Sequence, residues 1–244
     1  MRLLTIITLS LIFSNLSSAQ MSLGILSEPT ISFAKVGALP RAESDSIRNL
    51  KAGSKSISLG IEIRKQIDRY QSITFIPGYL QTNMMLVKED MQFLDVVHPK
   101  LPEIRDFAQA APKVAYITHR QKYAGTQIIY AKKLDVRGMD RKAKIEIGGG
   151  IGAYALLQSD VKIRTEGFAI KDKFTHVFTD STGLDARPYL IQIILVADLN
   201  YELSPKTHLI AGIKVSSPLT STSTSEPKIT IFSPALRIGL RFEI

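Results

Sequence analysis

The chain has 244 residues, 31 of them Lys or Arg against 22 Asp or Glu, for a formal charge of +9. It contains no Cys and no Trp, so a disulfide framework and thiolate chemistry are excluded. Its apolar content of 45% is enough for a folded core, yet no stretch beyond the N-terminus approaches the ~18 consecutive apolar residues of a membrane helix.

The first residues predict a secretory signal over 1–19. Arg2 supplies the positive charge, Leu3 to Phe13 the apolar stretch, and Ser17-Ser18-Ala19 the small residues of a cleavage site before Gln20. The domain expected to remain is 20–244. Without Arg2 it carries 30 basic and 22 acidic side chains, a charge of +8. Export argues against nucleic acid as the partner of that charge. A cell envelope offers lipopolysaccharide and acidic headgroups instead.

Downstream, the sequence alternates apolar and polar residues with a period of two. The clearest run sets Ile145, Ile147, Gly149, Ile151, Ala153, Ala155 and Leu157 against Lys144, Glu146, Gly148, Gly150, Gly152, Tyr154, Leu156 and Gln158. Such a run exceeds an ordinary strand of about five or six residues. It matches the ~9–11 residues with which a tilted strand crosses a bilayer. Taken in chain order, seven further stretches resemble it. The first lies within Leu23 to Val36, with Ile31 and Phe33 on one face. The second sets Ile57, Leu59, Ile61 and Ile63 against Ser56, Ser58, Gly60, Glu62 and Arg64. The third sets Ile73, Phe75, Pro77 and Tyr79 against Ser72, Thr74, Ile76 and Gly78. The fourth, the least regular, ends in Gln127-Ile128-Ile129-Tyr130 and can begin as early as Val114. The fifth is the clear run, with a continuation through Val161 and Ile163. The sixth runs from Tyr189 to Leu203, the seventh from His208 to Ser216 and the eighth from Phe232 to Ile244.

The connections alternate in length. Lys65 to Tyr70, Leu134 to Ala143 and Ser204-Pro205-Lys206 are short or medium. Gly37 to Lys55, Leu86 to Lys113, Thr165 to Pro188 and the Ser/Thr-rich 217–227 are longer. Short turns at one end and long loops at the other predict an all-β, eight-stranded antiparallel up-and-down transmembrane β-barrel with both termini in the periplasm. Within the second long loop, Met84, Val87, Met91 and Leu94 fall at helical spacing and Pro102 can begin a second helix. A short capping helix and a strand extension followed by irregular loop both remain open there.

An eight-stranded barrel has a bore only just wide enough for side chains. Glycines fall on the inward rows at Gly60, Gly78, Gly148, Gly150, Gly152, Gly212 and Gly239, which makes room for charges. Glu62, Glu146, Asp198, Glu202 and Glu243 can balance Arg64, Lys144, Lys214, Arg237 and Arg241. Buried charges must be paired, so the expectation is a salt-bridged filling and not a water channel. Pro77 and Pro234 each remove a ladder hydrogen bond. A bulge is expected at Pro77, and a bulge or frayed rim at Pro234. The basic cluster Lys132, Lys133, Arg137, Arg141, Lys142 and Lys144 reads either as a solvated turn or as an anion site.

Chemistry is otherwise scarce. His98, His119, His176 and His208 show no metal-ligand spacing, and no metal or cofactor is expected. A rim hydrolase needs Ser and His together, whereas Ser216 lies far along the strand from His208. Gly148 to Gly152 lacks the Gly-Lys-Ser/Thr of a phosphate loop. Lys162 and Arg164, at the outer end of the fifth strand, are candidates to touch lipopolysaccharide phosphates.

The Ser-Ala-Gln end of the signal, Ile145 to Leu157 with its glycines, Tyr201-Glu202-Leu203 before a tight turn, and Arg237-Ile-Gly-Leu-Arg-Phe242 together resemble the small outer-membrane β-barrel family of Bacteroidota often called PorT-like. Phe242 is followed by Glu243-Ile244, so the family's terminal aromatic is displaced. The resemblance implies insertion by the outer-membrane assembly machinery. The reading is then a non-enzymatic envelope barrel with a filled lumen, in a structural, adhesive or accessory role through its outer loops and protein partners there. The alternatives are a small-solute porin and a component of a protein-secretion complex.

Overall fold

A computed structural model describes residues 21–36, 53–88, 114–134, 136, 138, 140, 142–166, 174–179, 186–224 and 229–244. The predicted signal lies outside them. Among the described residues nine strands run in chain order: β1 Met21–Val36, β2 Gly53–Gln66, β3 Gln71–Lys88, β4 Val114–Leu134, β5 Ala143–Glu166, β6 Phe174–Thr179, β7 Tyr189–Ser204, β8 Thr207–Pro218 and β9 Ile229–Glu243. All but β6 form a closed antiparallel barrel. The order β4-β3-β2-β1-β9-β8-β7-β5 is closed by the β4–β5 ladder. β6 pairs only with the outer part of β5, from Asp160↔Thr179 to Thr165↔Phe174, beyond the point where β7 leaves it at Ala155↔Tyr189. β6 falls within the long connection 165–188, for which the alternation predicts no strand. β5 is 24 residues long, roughly 80 Å at ~3.3 Å per residue, far more than an apolar band ~25 Å tall requires. Its surplus therefore projects beyond the lipid and offers a free edge, which β6 covers.

The outer wall follows from alternation. Ile25, Ile61, Ile73, Phe75, Ile128, Ile147, Ile151, Ile193, Leu195, Ile213, Leu236, Ile238 and Leu240 all point outward and are exposed. Tyr70, Tyr130 and Phe242 lie toward the short-turn end of this wall, with Phe33, Tyr189 and Phe232 toward the other. That is a thin aromatic girdle of Tyr and Phe at each interface. A soluble protein would not expose such a continuous apolar belt. A closed barrel satisfies its backbone internally and so can sit in hydrocarbon. The chain is an integral outer-membrane β-barrel. Ile151, 57% exposed and flanked by Ile128 and Ile193, sits in the middle of the belt. Ile151→Arg is expected to cost ~2–4 kcal/mol, read as the urea midpoint for folding into lipid vesicles.

Short turns join β2 to β3, β4 to β5 and β7 to β8. In the first, Asp68 Oδ1 accepts from the backbone N–H groups of Tyr70 and Gln71, both at 2.7 Å, an Asx arrangement that reverses the chain.

Three features differ from the sequence expectation. No bulge occurs at the prolines. The β3–β4 ladder runs unbroken through Pro77↔Thr126. On its other side, the pairs between Gly60↔Gly78 and Ile63↔Phe75 are missing while the register holds. The lost hydrogen bond is thus a local gap facing β2. Pro234 lies inside β9, not at a frayed rim, and its gap falls on the β1–β9 seam, as does that of Pro29. Both prolines keep their pairing on the opposite side, Pro234 with Val215 and Pro29 with Ile57. A bulge does occur where none was expected. Tyr123 pairs with Leu156 but Lys122 pairs with Gln158, leaving Leu157 as an extra residue. The inside and outside rows exchange there. Leu157 is 62% exposed, Ser159 is only 1% exposed, and Lys162 is exposed. Finally, β3 carries Met84 and Val87 as extended strand to Lys88, so a helix beginning at Met84 is overturned. Met91, Leu94 and Pro102 lie outside the described residues.

Candidate functional site

The inward rows fill the bore with charge. Among the described residues eight charged side chains are buried there: Glu28, Glu62, Glu146 and Asp198, and Arg64, Lys214, Arg237 and Arg241. Four carboxylates thus meet four cations. Arg64 from β2 grips Glu146 of β5 with both terminal nitrogens, Nη1 to Oε2 at 2.5 Å and Nη2 to Oε1 at 2.6 Å. Arg241 of β9 donates through Nε to Glu62 Oε1 of β2 at 2.5 Å and through Nη1 to Asn200 Oδ1 of β7 at 2.9 Å. Arg237 of β9 donates Nη1 to Asp198 of β7 and Nε to Glu28 Oε1 of β1, the latter at 3.2 Å. Lys214 of β8 donates to the other oxygen of Glu28.

Most of these ties join strands that are not neighbours in the wall, so they cross the bore. A buried pair roughly cancels its own desolvation cost. Its main effect here is to occupy the lumen and to penalise any strand register that leaves a charge unmatched.

Glu62, Arg64, Glu146, Asp198, Lys214, Arg237 and Arg241 are brought together. Lys144 and Glu202 are not. Lys144 is exposed and Glu202 half-buried near the short-turn end, outside the buried network. Glu243 pairs with His208 at 3.0 Å, also at that end. Glu28 was missed from sequence. Its row, Gly24, Leu26, Glu28, Thr30 and Ser32, is inward. The signal was there in alternation but was blurred by Ser27 and Pro29 in the outward row.

Two apolar clusters also occupy the interior, and the expected polar filling did not include them. Leu26, Ile76, Ile129, Ile194, Val196 and Ile210 form one. Leu80, Tyr123, Tyr154 and Leu190, with Leu156 against them, form the other. At the outer mouth the Ser/Thr-rich chain after β8 turns inward. Thr222 is buried, and its carbonyl accepts from the Arg187 N–H at 2.9 Å and from Gln121 Nε2 of β4 at 3.5 Å. A bridge joins Ala186 to Ser223. This segment lies across the opening.

Catalytic groupings are not assembled at the residues the sequence offered. Ser216 donates to the Ser233 carbonyl at 3.2 Å. It stands eight residues along β8 from His208, roughly 27 Å at the strand rise. Among the described residues no group of three or more His, Asp or Glu could hold a metal ion. Lys162 is exposed on the outward side and its backbone is opposite Thr118; Arg164 pairs with Tyr116.

No protein-family model matches the chain, and no curated protein matches it. Among solved structures it is similar to Neisserial surface protein A, at 12% identity over 92% of this chain and 97% of that one, with a TM-score of 0.46. It is similar to the outer membrane protein OprG of Pseudomonas aeruginosa at 9% identity, over 93% and 96%, with a TM-score of 0.40. The outer membrane protease OmpT of Escherichia coli is similar at 8% identity, over 92% and 97%, with a TM-score of 0.37.

Proposed function

We propose that this barrel is a non-enzymatic envelope protein with a sealed lumen, acting in a structural, adhesive or accessory role through the surface it presents outside the lipid. The observation that carries this reading is the set of four cations and four carboxylates tied to one another across the bore. Water would have to break several charge-assisted bonds to form a continuous column. The apolar clusters and the Thr222 segment add dry packing and a cover at the outer mouth. Arg120 and Lys162, exposed on the outer extension of β4 and β5, support a contact with lipopolysaccharide phosphates. Arg164 is assigned to the same role from its place in the strand.

Purified protein in planar bilayers tests the reading. The expected record is a baseline without resolved steps. Large, steady open channels would instead make it a small-solute porin. The PorT-like, Bacteroidota assignment is supported by the residue patterns at 145–157, 201–203 and 237–242. Purification from mild detergent tests the link to secretion, since a complex component brings stoichiometric envelope partners with it.

A further inference from the structure

At the short-turn end the lumen opens into a recess whose wall includes Arg64, Lys133, Lys144, Glu146, Asn200 and Arg241. Both guanidiniums are already engaged, Arg64 with Glu146 and Arg241 with Glu62 and Asn200. The two lysines are not. Lys133 Nζ donates to the neutral Gln66 Oε1 at 3.2 Å. Neither ammonium has an ion-pair partner among the described residues.

Asn200 is the second observation. It is only 4% exposed. Its Oδ1 accepts from Arg241 Nη1, which settles which way the amide faces. Its Nδ2 is then a buried donor with no partner among the described residues. Such a group is destabilising when left unmatched, and the recess is where an acceptor can reach it.

Charge sets the kind of acceptor. Glu146 and Glu243 line the recess, and Glu62 sits behind Arg241. Arg64, Lys133, Lys144 and Arg241 set four cations against these three carboxylates, an excess of one positive charge without counting His208. We infer that this periplasmic recess binds a single carboxylate, held by the Lys133 and Lys144 ammoniums and the Asn200 amide. The inference is independent of whether the lumen conducts.

The carboxylate can belong to a small free acid or to the C-terminus of a peptide chain. The test is a titration of the full, 15N-labelled barrel in lipid nanodiscs, followed at the Asn200 side-chain amide. The probes are acetate, trialanine, and trialanine with an amidated C-terminus. Saturable movement of the Asn200 signal with trialanine and none with its amide is expected. Acetate binding as tightly as trialanine makes the ligand a small acid; trialanine at least tenfold tighter makes it a chain end. Lys133→Gln/Lys144→Gln should weaken binding at least tenfold while keeping the heat-modifiable mobility of a folded barrel. A signal that moves linearly without saturation, that does not move, or that moves equally in the double variant overturns the inference.

Discussion

Glu146→Leu should destabilise the barrel by about 3–5 kcal/mol, the cost of leaving a buried charge without its partner. Glu146 is buried and takes both terminal nitrogens of Arg64. The carboxylates beyond it are engaged elsewhere, Glu62 with Arg241 and Asp198 with Arg237. The stranded guanidinium would have to draw water into the bore or pull a carboxylate from another pair. Adding Arg64→Met to Glu146→Leu removes both charges and should return stability to within ~1 kcal/mol of the parent or above it, because the desolvation cost is then absent. Urea titrations of folding into vesicles give both values. A single-variant loss below ~1 kcal/mol, the range of solvent-exposed pairs, would mean that water already reaches Arg64. That outcome would count against this energy but not against the seal, because Arg64 also lines the recess at the short-turn end.

Gly150→Val and Gly149→Val should differ by the whole of assembly, although the residues are adjacent. A Cβ at Gly150 would stand 2.0 Å from the Ile128 carbonyl oxygen and 2.9 Å from the Ile129 Cα. Those are backbone atoms of the paired strand and cannot yield without opening the β4–β5 ladder that closes the barrel. At Gly149 the nearest atom to an added Cβ is Leu195 Cδ2 at 3.5 Å, an ordinary contact on the lipid side. Gly150→Val is expected to give no heat-modifiable folded band. Gly149→Val should fold, with stability within about 0.5 kcal/mol of the parent, as for surface changes away from special features. Equal folding of the two would show that the inward glycine row is not dictated by close strand approach.

These two contrasts also mark what could be read before any coordinates. Inside and outside are different solvents for a membrane barrel, so each strand must alternate, and alternation is local. Ile145 to Leu157 therefore announced its lipid face, its glycine face and its length from sequence. The same logic put Arg64, Glu146, Asp198, Lys214, Arg237 and Arg241 on the inward rows. Where alternation is blurred, reading fails. Ser27 and Pro29 hid Glu28, and the one-residue bulge at Leu157 reversed the faces of everything after it. Inward aliphatic residues such as Leu26, Ile194 and Ile210 merge the two rows into continuous apolar stretches such as 193–197, which do not say locally which side chains face lipid and which face the bore.

By itself, then, the sequence determined the period, the strand count of the barrel, the loop asymmetry and the membrane-facing exterior, because each depends on residues near one another in the chain. Only the tertiary structure decided which charge meets which. Arg64 and Glu146 are 82 positions apart, and Lys214 and Glu28 186. Their meeting depends on the tilt, stagger and closure of strands around the bore. The same closure brings Lys133 and Lys144, part of a basic cluster flanking one turn, into the wall of one recess with Asn200 of β7. Pairing across a closed barrel is a property of all eight strands at once, and no local pattern carries it.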